Sequence, residues 1–256
     1  MAGGPATAVL RHLPLVDAHC HQLLVQAPDD MGRLLTEGDE PGWDTAVGLA
    51  VRRWCGPALD LPPLATPAAY LERRAELGHD AVTARLLGAA RLSHLLVDTG
   101  PSGPDLALPA VGAVHDVVRL ELVAEELAAT AVTPADFAAA FAERLDAACR
   151  DAVAVKSIVA YRHGLDLDPA RPAPAEVRDA AEEWLVELAP FTKVLYSSDG
   201  YRLPELYLAG AAQFRHSFGA VLDGWVGEGA MAGDDAERVA RLVGVDNARR
   251  VYRLPA

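Results

Sequence analysis

Leu13-Pro-Leu-Val-Asp-Ala-His-Cys-His21 is an apolar run that closes on His-x-His near the start of the chain. On an extended strand side chains alternate between faces, so His19 and His21 point the same way and Cys20 points to the other side. Neutral imidazole is the commonest protein metal ligand. Two of them from one strand end supply half of a tetrahedral or five-coordinate site with no loop folded around the ion. The plainer reading is a strand that merely ends in two polar residues, and the residues downstream bear on the choice.

Further short runs rich in Val, Ile and Leu lie at Ser93–Asp98, Ala113–Leu120, Ala152–Tyr161 and Lys193–Ser198, and with Leu13–Ala18 they have the lengths of buried strands. Segments with helical spacing separate them, at Pro67–Leu92, Leu120–Thr130, Pro134–Arg150, Pro174–Leu188 and Pro204–Val226. Strands alternating with helices predict an α/β fold whose parallel sheet is covered on both faces. Thr133-Pro-Ala-Asp and Leu203-Pro-Glu-Leu each place a proline where a helix begins. Residues 22–65, with Trp43, Trp54 and several prolines, read as a helical cap inserted after the first strand. The chain reads as a single domain over residues 1–256, with no internal repeat.

Composition narrows the partners. A net charge of −13 disfavours nucleic acid and anionic membrane surfaces, which leaves small molecules and proteins. Cys20, Cys55 and Cys149 are odd in number and widely spaced, giving neither a disulfide framework nor a structural zinc site, and they fit a reduced cytoplasm. No basic-then-apolar leader and no long uninterrupted apolar run occurs, so neither standard secretion nor membrane spanning is expected.

Asp199 follows Val194-Leu-Tyr-Ser-Ser, which places it at the carboxyl end of the last predicted strand, the same sheet end as His19 and His21. In parallel α/β barrels that end collects the reactive groups. A carboxylate there can ligate a metal and take a proton from water, although Ser-Asp-Gly is also good turn and capping chemistry. Lys156, one of two lysines, sits inside Val153-Ala-Val-Lys-Ser-Ile-Val-Ala. Burial there favours a neutral amine, which can become a metal-bridging carbamate, or the amine pairs with an acidic residue. Arg162 suits a substrate carboxylate through its guanidinium fork, or serves the surface. Glu121 and Asp98 close the third and second strands, where they face the site or cap the next helix or turn. His115 falls at the wrong strand end, and His12, His79, His94, His163 and His216 have no useful spacing. Phosphate loops, Gly-x-Gly-x-x-Gly and the Gly-x-Ser-x-Gly elbow are absent.

Taken together, Val16-Asp-Ala-His-Cys-His21, Val155-Lys-Ser-Ile-Val-Ala-Tyr-Arg-His-Gly-Leu165 and Lys193-Val-Leu-Tyr-Ser-Ser-Asp-Gly200 resemble the amidohydrolase superfamily. The nearest branch is the amidohydrolase-related group also found fused to glutamine synthetase-like domains. Leu95-Leu-Val-Asp-Thr-Gly100, Val118-Arg-Leu-Glu-Leu122, Leu203-Pro-Glu-Leu-Tyr207 and Asn247-Ala-Arg-Arg-Val-Tyr252 extend the resemblance over nearly the whole chain. It implies a TIM-barrel-like (β/α)8 fold in which strand one supplies His19 and His21, strand four Lys156 and strand eight Asp199, as ligands of a divalent metal. That family also takes histidines from strands five and six. Only roughly thirty residues separate Arg162 from Lys193, too few for three more strand–helix units. Strands five to seven therefore read as excised, leaving about five parallel strands, with strand eight beside strand four and an edge prone to self-association into a homo-oligomer.

These readings imply a metal-dependent hydrolase acting on a C–N or C–O bond of a small molecule. One ion is expected rather than two, zinc ahead of manganese or iron, with Asp199 moving protons and Arg162 and Glu121 binding substrate. The rival reactions are decarboxylation or isomerisation on the same scaffold. Absence of the two further histidines also admits an inactive scaffold.

Overall fold

A computed structural model describes residues 3–36, 40–100, 103–128, 134–158 and 190–255. Helix α1 (Pro5–His12) leads into β1 (Leu15–Cys20) and the two-residue β2 (Leu23–Leu24). Then come α2 (Ala46–Trp54), α3 (Pro67–Leu77), α4 (His79–Ala90), β3 (Leu92–Asp98), β4 (Leu106–Ala107) and β5 (Ala113–Arg119). Helices α5 (Leu120–Ala128) and α6 (Pro134–Ala148) precede β6 (Ala154–Lys156), and α7 (Pro204–Gly227), α8 (Gly233–Arg241) and α9 (Asn247–Tyr252) close the chain. Strands β1, β3, β5 and β6 pair in that order, all parallel, as a sheet curled into half a barrel. Strands β2 and β4 form a separate antiparallel pair.

Strands β1 and β3 are buried on both faces along most of their length, and β5 is buried at Val117 and Val118. Leu15, Cys20, Leu95 and Val97 pack on one side with residues of α2, α4 and α7, among them Val51, Leu86 and Tyr207. Val16, Leu96 and Val117 pack on the other with Val245, Ala248 and Leu254. Adjacent residues thus serve opposite cores, which explains why these strands read as unbroken apolar runs.

Two expectations need correction. Pro67–Leu92 is not one helix, because Gly78 adopts φ +79° and ends α3 there, and Leu92 already belongs to β3. The run expected at Lys193–Ser198 does not lie beside the fourth strand. Lys193 completes a helical turn, Phe191–Lys193, and the next residues run along the free edge of β1. There Ala18 N–H donates to Tyr196 O at 3.0 Å, Asp199 N–H to His19 O at 3.1 Å and His21 N–H to Gly200 O at 2.8 Å. The cause is distant in sequence. Buried Asn247 donates to Phe191 O (2.7 Å) and Val194 O (2.9 Å), and Tyr196 N–H donates to Val243 O (3.1 Å), so the C-terminal helices seat this segment against β1.

Among the described residues of 22–65 the helical content is α2 and three single turns, Gly32–Leu34, Gly42–Asp44 and Pro57–Leu59, and α2 packs on α7. Thr45 caps α2 by accepting from Gly48 N–H at 3.2 Å. The expected helix at 174–188, Arg162 and His163 lie outside the described residues. No helix among the described residues is long and apolar enough to cross a membrane. Cys20, Cys55 and Cys149 are free thiols.

Candidate metal centre

Each strand of the half-barrel ends in a charged or imidazole side chain on the same side. β1 delivers His19 and, one residue past its end, His21; β3 delivers Asp98, β5 Arg119 and β6 Lys156. Parallel register makes neighbours of these strand ends, because Asp98 is aligned with Val117 and Arg119 with Lys156. Adjacent strands lie about 4.8 Å apart, so the side chains meet without any long reach.

Asp98 sits at the middle of the row, fully buried. Its carboxylate accepts from Arg119 Nη2 at 2.6 Å, from Gly100 N–H at 2.9 Å and from Lys156 Nζ at 3.1 Å. Burial pushes the Asp98 carboxyl up, but Arg119, the Gly100 amide and Lys156 outweigh it and hold the group below its usual range. Lys156 also donates to His19 Nε2 at 2.8 Å. The sequence therefore brings Lys156 to the cluster, where the pairing with an acidic residue is the alternative realised. An ammonium has no lone pair, so in this state Lys156 is a donor and not a ligand.

Asp199 enters from the opposite edge of β1. Its Oδ1 lies 3.3 Å from His19 Nε2 and 3.6 Å from His21 Nε2, with the carboxylate largely solvent-exposed. Where the imidazoles are protonated, His19, then His21, hold its carboxyl well below the usual carboxylate range against the opposing effect of burial. Asp199 takes the left-handed backbone conformation at φ +51°, which aspartate tolerates better than most residues. Gly200 is required next to it, since a Cβ there would fall 2.6 Å from the Tyr207 ring. Below this turn, buried Asp17 accepts from Ser198 N–H (2.9 Å) and Oγ (2.5 Å), and burial raises its carboxyl to about 6.

The imidazoles are oriented for cation binding. His21 Nδ1 lies 3.0 Å from the main-chain carbonyl of Asp98, an acceptor, so Nδ1 carries the hydrogen and Nε2 keeps its lone pair. Tyr207 donates its hydroxyl to the His21 carbonyl and fixes the main chain at that point. His19 Nε2 is likewise an acceptor, toward Lys156. The His21 lone pair thus meets the anionic Asp199 oxygen with the His19 lone pair beside them, an arrangement that a cation, either an added proton or a metal ion, would bridge. His19, His21 and Asp98 also offer ligand atoms that all lie within 4.8 Å of one another. The donor set is that of a divalent metal site.

Glu121 opens α5 and accepts from Ser157 Oγ at 2.5 Å and Ile158 N–H at 2.9 Å, so it holds the chain just beyond Lys156. His115 lies near the opposite end of the sheet, where its Nε2 is 2.8 Å from His94 Nδ1. Arg119 is a member of the cluster that the motifs do not single out. Its signal is positional, two residues past the register partner of Asp98.

A cavity of about 800 Å³ opens beside Asp199. Ser198–Arg202 and α7 form one wall, and Arg33–Thr36 with the start of α2 form the other.

No family model matches the chain, and no curated protein matches its sequence. Two solved structures share its fold. A candidate metal-dependent hydrolase from Lactobacillus casei ATCC 334 superposes over 98% of this chain and 98% of its own, with a TM-score of 0.72 at 18% identity. A uronate isomerase from Bacillus halodurans C-125 covers 98% of this chain and 96% of its own, with a TM-score of 0.63 at 12% identity. At these identities the common property is the fold alone.

Proposed function

We propose that the chain is a metal-dependent hydrolase of small molecules, with one divalent ion, zinc, held by His19, His21 and Asp199. The observation that carries the reading is the His21 lone pair facing an anionic oxygen, with His19, whose lone pair now accepts from Lys156, at the same oxygen. His21 Nε2 and Asp199 Oδ1 face each other at 3.6 Å, both as acceptors. When bound there, the ion would supply Lewis acidity and lower the pKa of water towards about 7.

The chain's own groups then divide the work. Asp199 is largely exposed and lines the cavity, where its carboxylate would take a proton and return it to the leaving nitrogen or oxygen. Lys156, tied to Asp98, presents its ammonium beside His19, where it stabilises negative charge developing on the substrate. Arg119 and Asp98 hold that lysine in place. Ligation of the ion by Lys156 itself requires prior conversion to a carbamate, which adds the mass of one carbon dioxide. Residues 22–65 act as the cap that walls the substrate cavity, and the setting is the reduced cytoplasm.

Elemental analysis of the purified protein tests the ion. The expected result is about one zinc per chain, lost in His19→Ala and in Asp199→Ala while the fold persists; a metal-free wild type overturns it. Hydrolysis of amides and lactones tests the reaction. The structural likeness to an isomerase keeps metal-assisted isomerisation of a small acid as a second reading, and product analysis separates the two.

A further inference from the structure

We infer that the substrate is a carboxylic acid with an apolar body, anchored by Arg202 through its carboxylate. This rests on the metal-hydrolase reading for the identity of the site and adds the class of molecule that fills it. Arg202 is three residues past Asp199 and lines the same cavity. Its backbone is fixed on both sides, because Arg202 N–H donates to Gln22 O at 2.9 Å and its carbonyl accepts from Leu24 N–H at 3.0 Å. A φ of +62° is unusual for arginine and aims the side chain independently of any strand or helix face.

The guanidinium lies over the Tyr201 ring, with Cζ 4.9 Å from its centroid, and that ring meets His21 edge-on at 5.5 Å. Arg202 is therefore one aromatic ring away from the proposed ion. Its Nε is buried and without a hydrogen-bond partner, and among the described residues no carboxylate pairs with it. Asp29 and Asp105, which share a second cavity with it, make no ion pair with Arg202. The other arginine of the main cavity, Arg33, is already opposed by Asp30 at 3.5 Å.

A stacked, backbone-fixed and uncompensated guanidinium is a fork for a bidentate anion. The rest of the cavity surface is largely aliphatic, with Leu34, Leu35, Val47, Ala50, Leu206 and Ala209 facing it. In a chain of net charge −13 the long-range field repels anions, so binding a carboxylate here depends on a local cation of this kind. The anchored group and the reacting bond would be separated by a few bonds, spanning the width of Tyr201.

Isothermal calorimetry with phenylacetate, 3-phenylpropionate and 4-phenylbutyrate, each against its primary amide, tests the inference on the metal-loaded protein. At least one acid should bind at least tenfold more tightly than its amide. Arg202→Met should abolish that preference and Arg202→Lys should retain part of it, with unchanged far-ultraviolet circular dichroism and metal content. Equal binding of acid and amide throughout the series, no binding of any acid, or a preference that survives Arg202→Met overturns the inference. The two readings also fail separately. A preference that survives Arg202→Met but vanishes with chelator places the anion on the ion and leaves the hydrolase reading standing. A wild type without metal that still shows Arg202-dependent acid binding sinks the hydrolase reading and leaves the anchor.

Discussion

Asp98→Asn isolates the electrostatics of the strand ends from the orientation of the imidazoles. His21 is positioned by the main-chain carbonyl of Asp98, which the substitution keeps. What is lost is the single negative charge lying between Arg119 and Lys156, at 2.6 and 3.1 Å, with side chains 12% and 22% exposed. Removing one partner of a buried ion pair costs about 3–5 kcal/mol, because the charge left behind is uncompensated. The asparagine still accepts one hydrogen bond and both cations reach some water, so the lower end, about 3 kcal/mol, applies. For a chain of this length that corresponds to a fall in Tm of about 6–12 °C. Urea unfolding followed by tryptophan fluorescence, with chelator present so that metal binding adds nothing, reads it directly. In a double-mutant cycle Arg119→Met should recover at least about 1.5 kcal/mol of coupling with Asp98→Asn. A loss below about 1 kcal/mol with no coupling refutes the reasoning. So does metal loss in Asp98→Asn that matches the loss in Asp199→Asn, since Asp98 would then be the carboxylate ligand.

Lys156→Met removes the cation that competes for the His19 lone pair, and should tighten zinc binding by at least tenfold in a competition titration with a chromogenic chelator; weaker binding would assign Lys156 to the metal shell as a carbamate. Glu205 is fully buried at the start of α7, where it accepts from Arg74 Nε at 2.6 Å and Tyr70 Oη at 3.2 Å, so Glu205→Ala should destabilise by about 3–5 kcal/mol in the same urea assay, with the metal content of the remaining folded protein unchanged. His94 and His115 are both held below the usual imidazole range, chiefly by burial and, for His94, by the charges of His115 and Arg249. The unfolded chain therefore takes up their protons first: stability is complete above about pH 6.5 and is lost as pH falls below it, through the folded values. His94→Phe with His115→Phe should flatten the dependence of the urea midpoint between about pH 7 and 5, and an unchanged slope would refute the assignment.

The legible part of this protein is the part governed by short-range rules. Alternation along Leu15–Cys20 and the apolar character of the strands place His19, His21 and Lys156 at strand ends. That is enough to gather them, because parallel strands share one carboxyl end. Gly78 is visible, but nothing local shows that it takes a positive φ. The neighbour of the 194–200 segment is not legible at all. It is chosen by Asn247 and Val243, some fifty residues later, through bonds to main-chain carbonyls and amides that no side-chain pattern encodes. Arg202 is hidden for a related reason. A residue in the left-handed region belongs to no period, so its side chain's target cannot be read from spacing.

Charge at the strand ends ties the proposed ion to the proposed anchor. Arg119 and Lys156 balance Asp98 and Asp199, so the four side chains are neutral together while Lys156 occupies the His19 lone pair. That lone pair cannot serve an ammonium and a divalent ion at once. Binding the ion would therefore displace Lys156 from His19, leave it on Asp98, and give the strand ends two surplus positive charges. Such a surplus favours an anionic partner, and the cavity already holds an uncompensated guanidinium beside Tyr201. Carboxylate recognition by Arg202 and metal binding at His19 are then coupled in the same direction. Zinc should raise the affinity for the phenyl-substituted acids more than for their amides, and by linkage the acids should raise the affinity for zinc by the same factor.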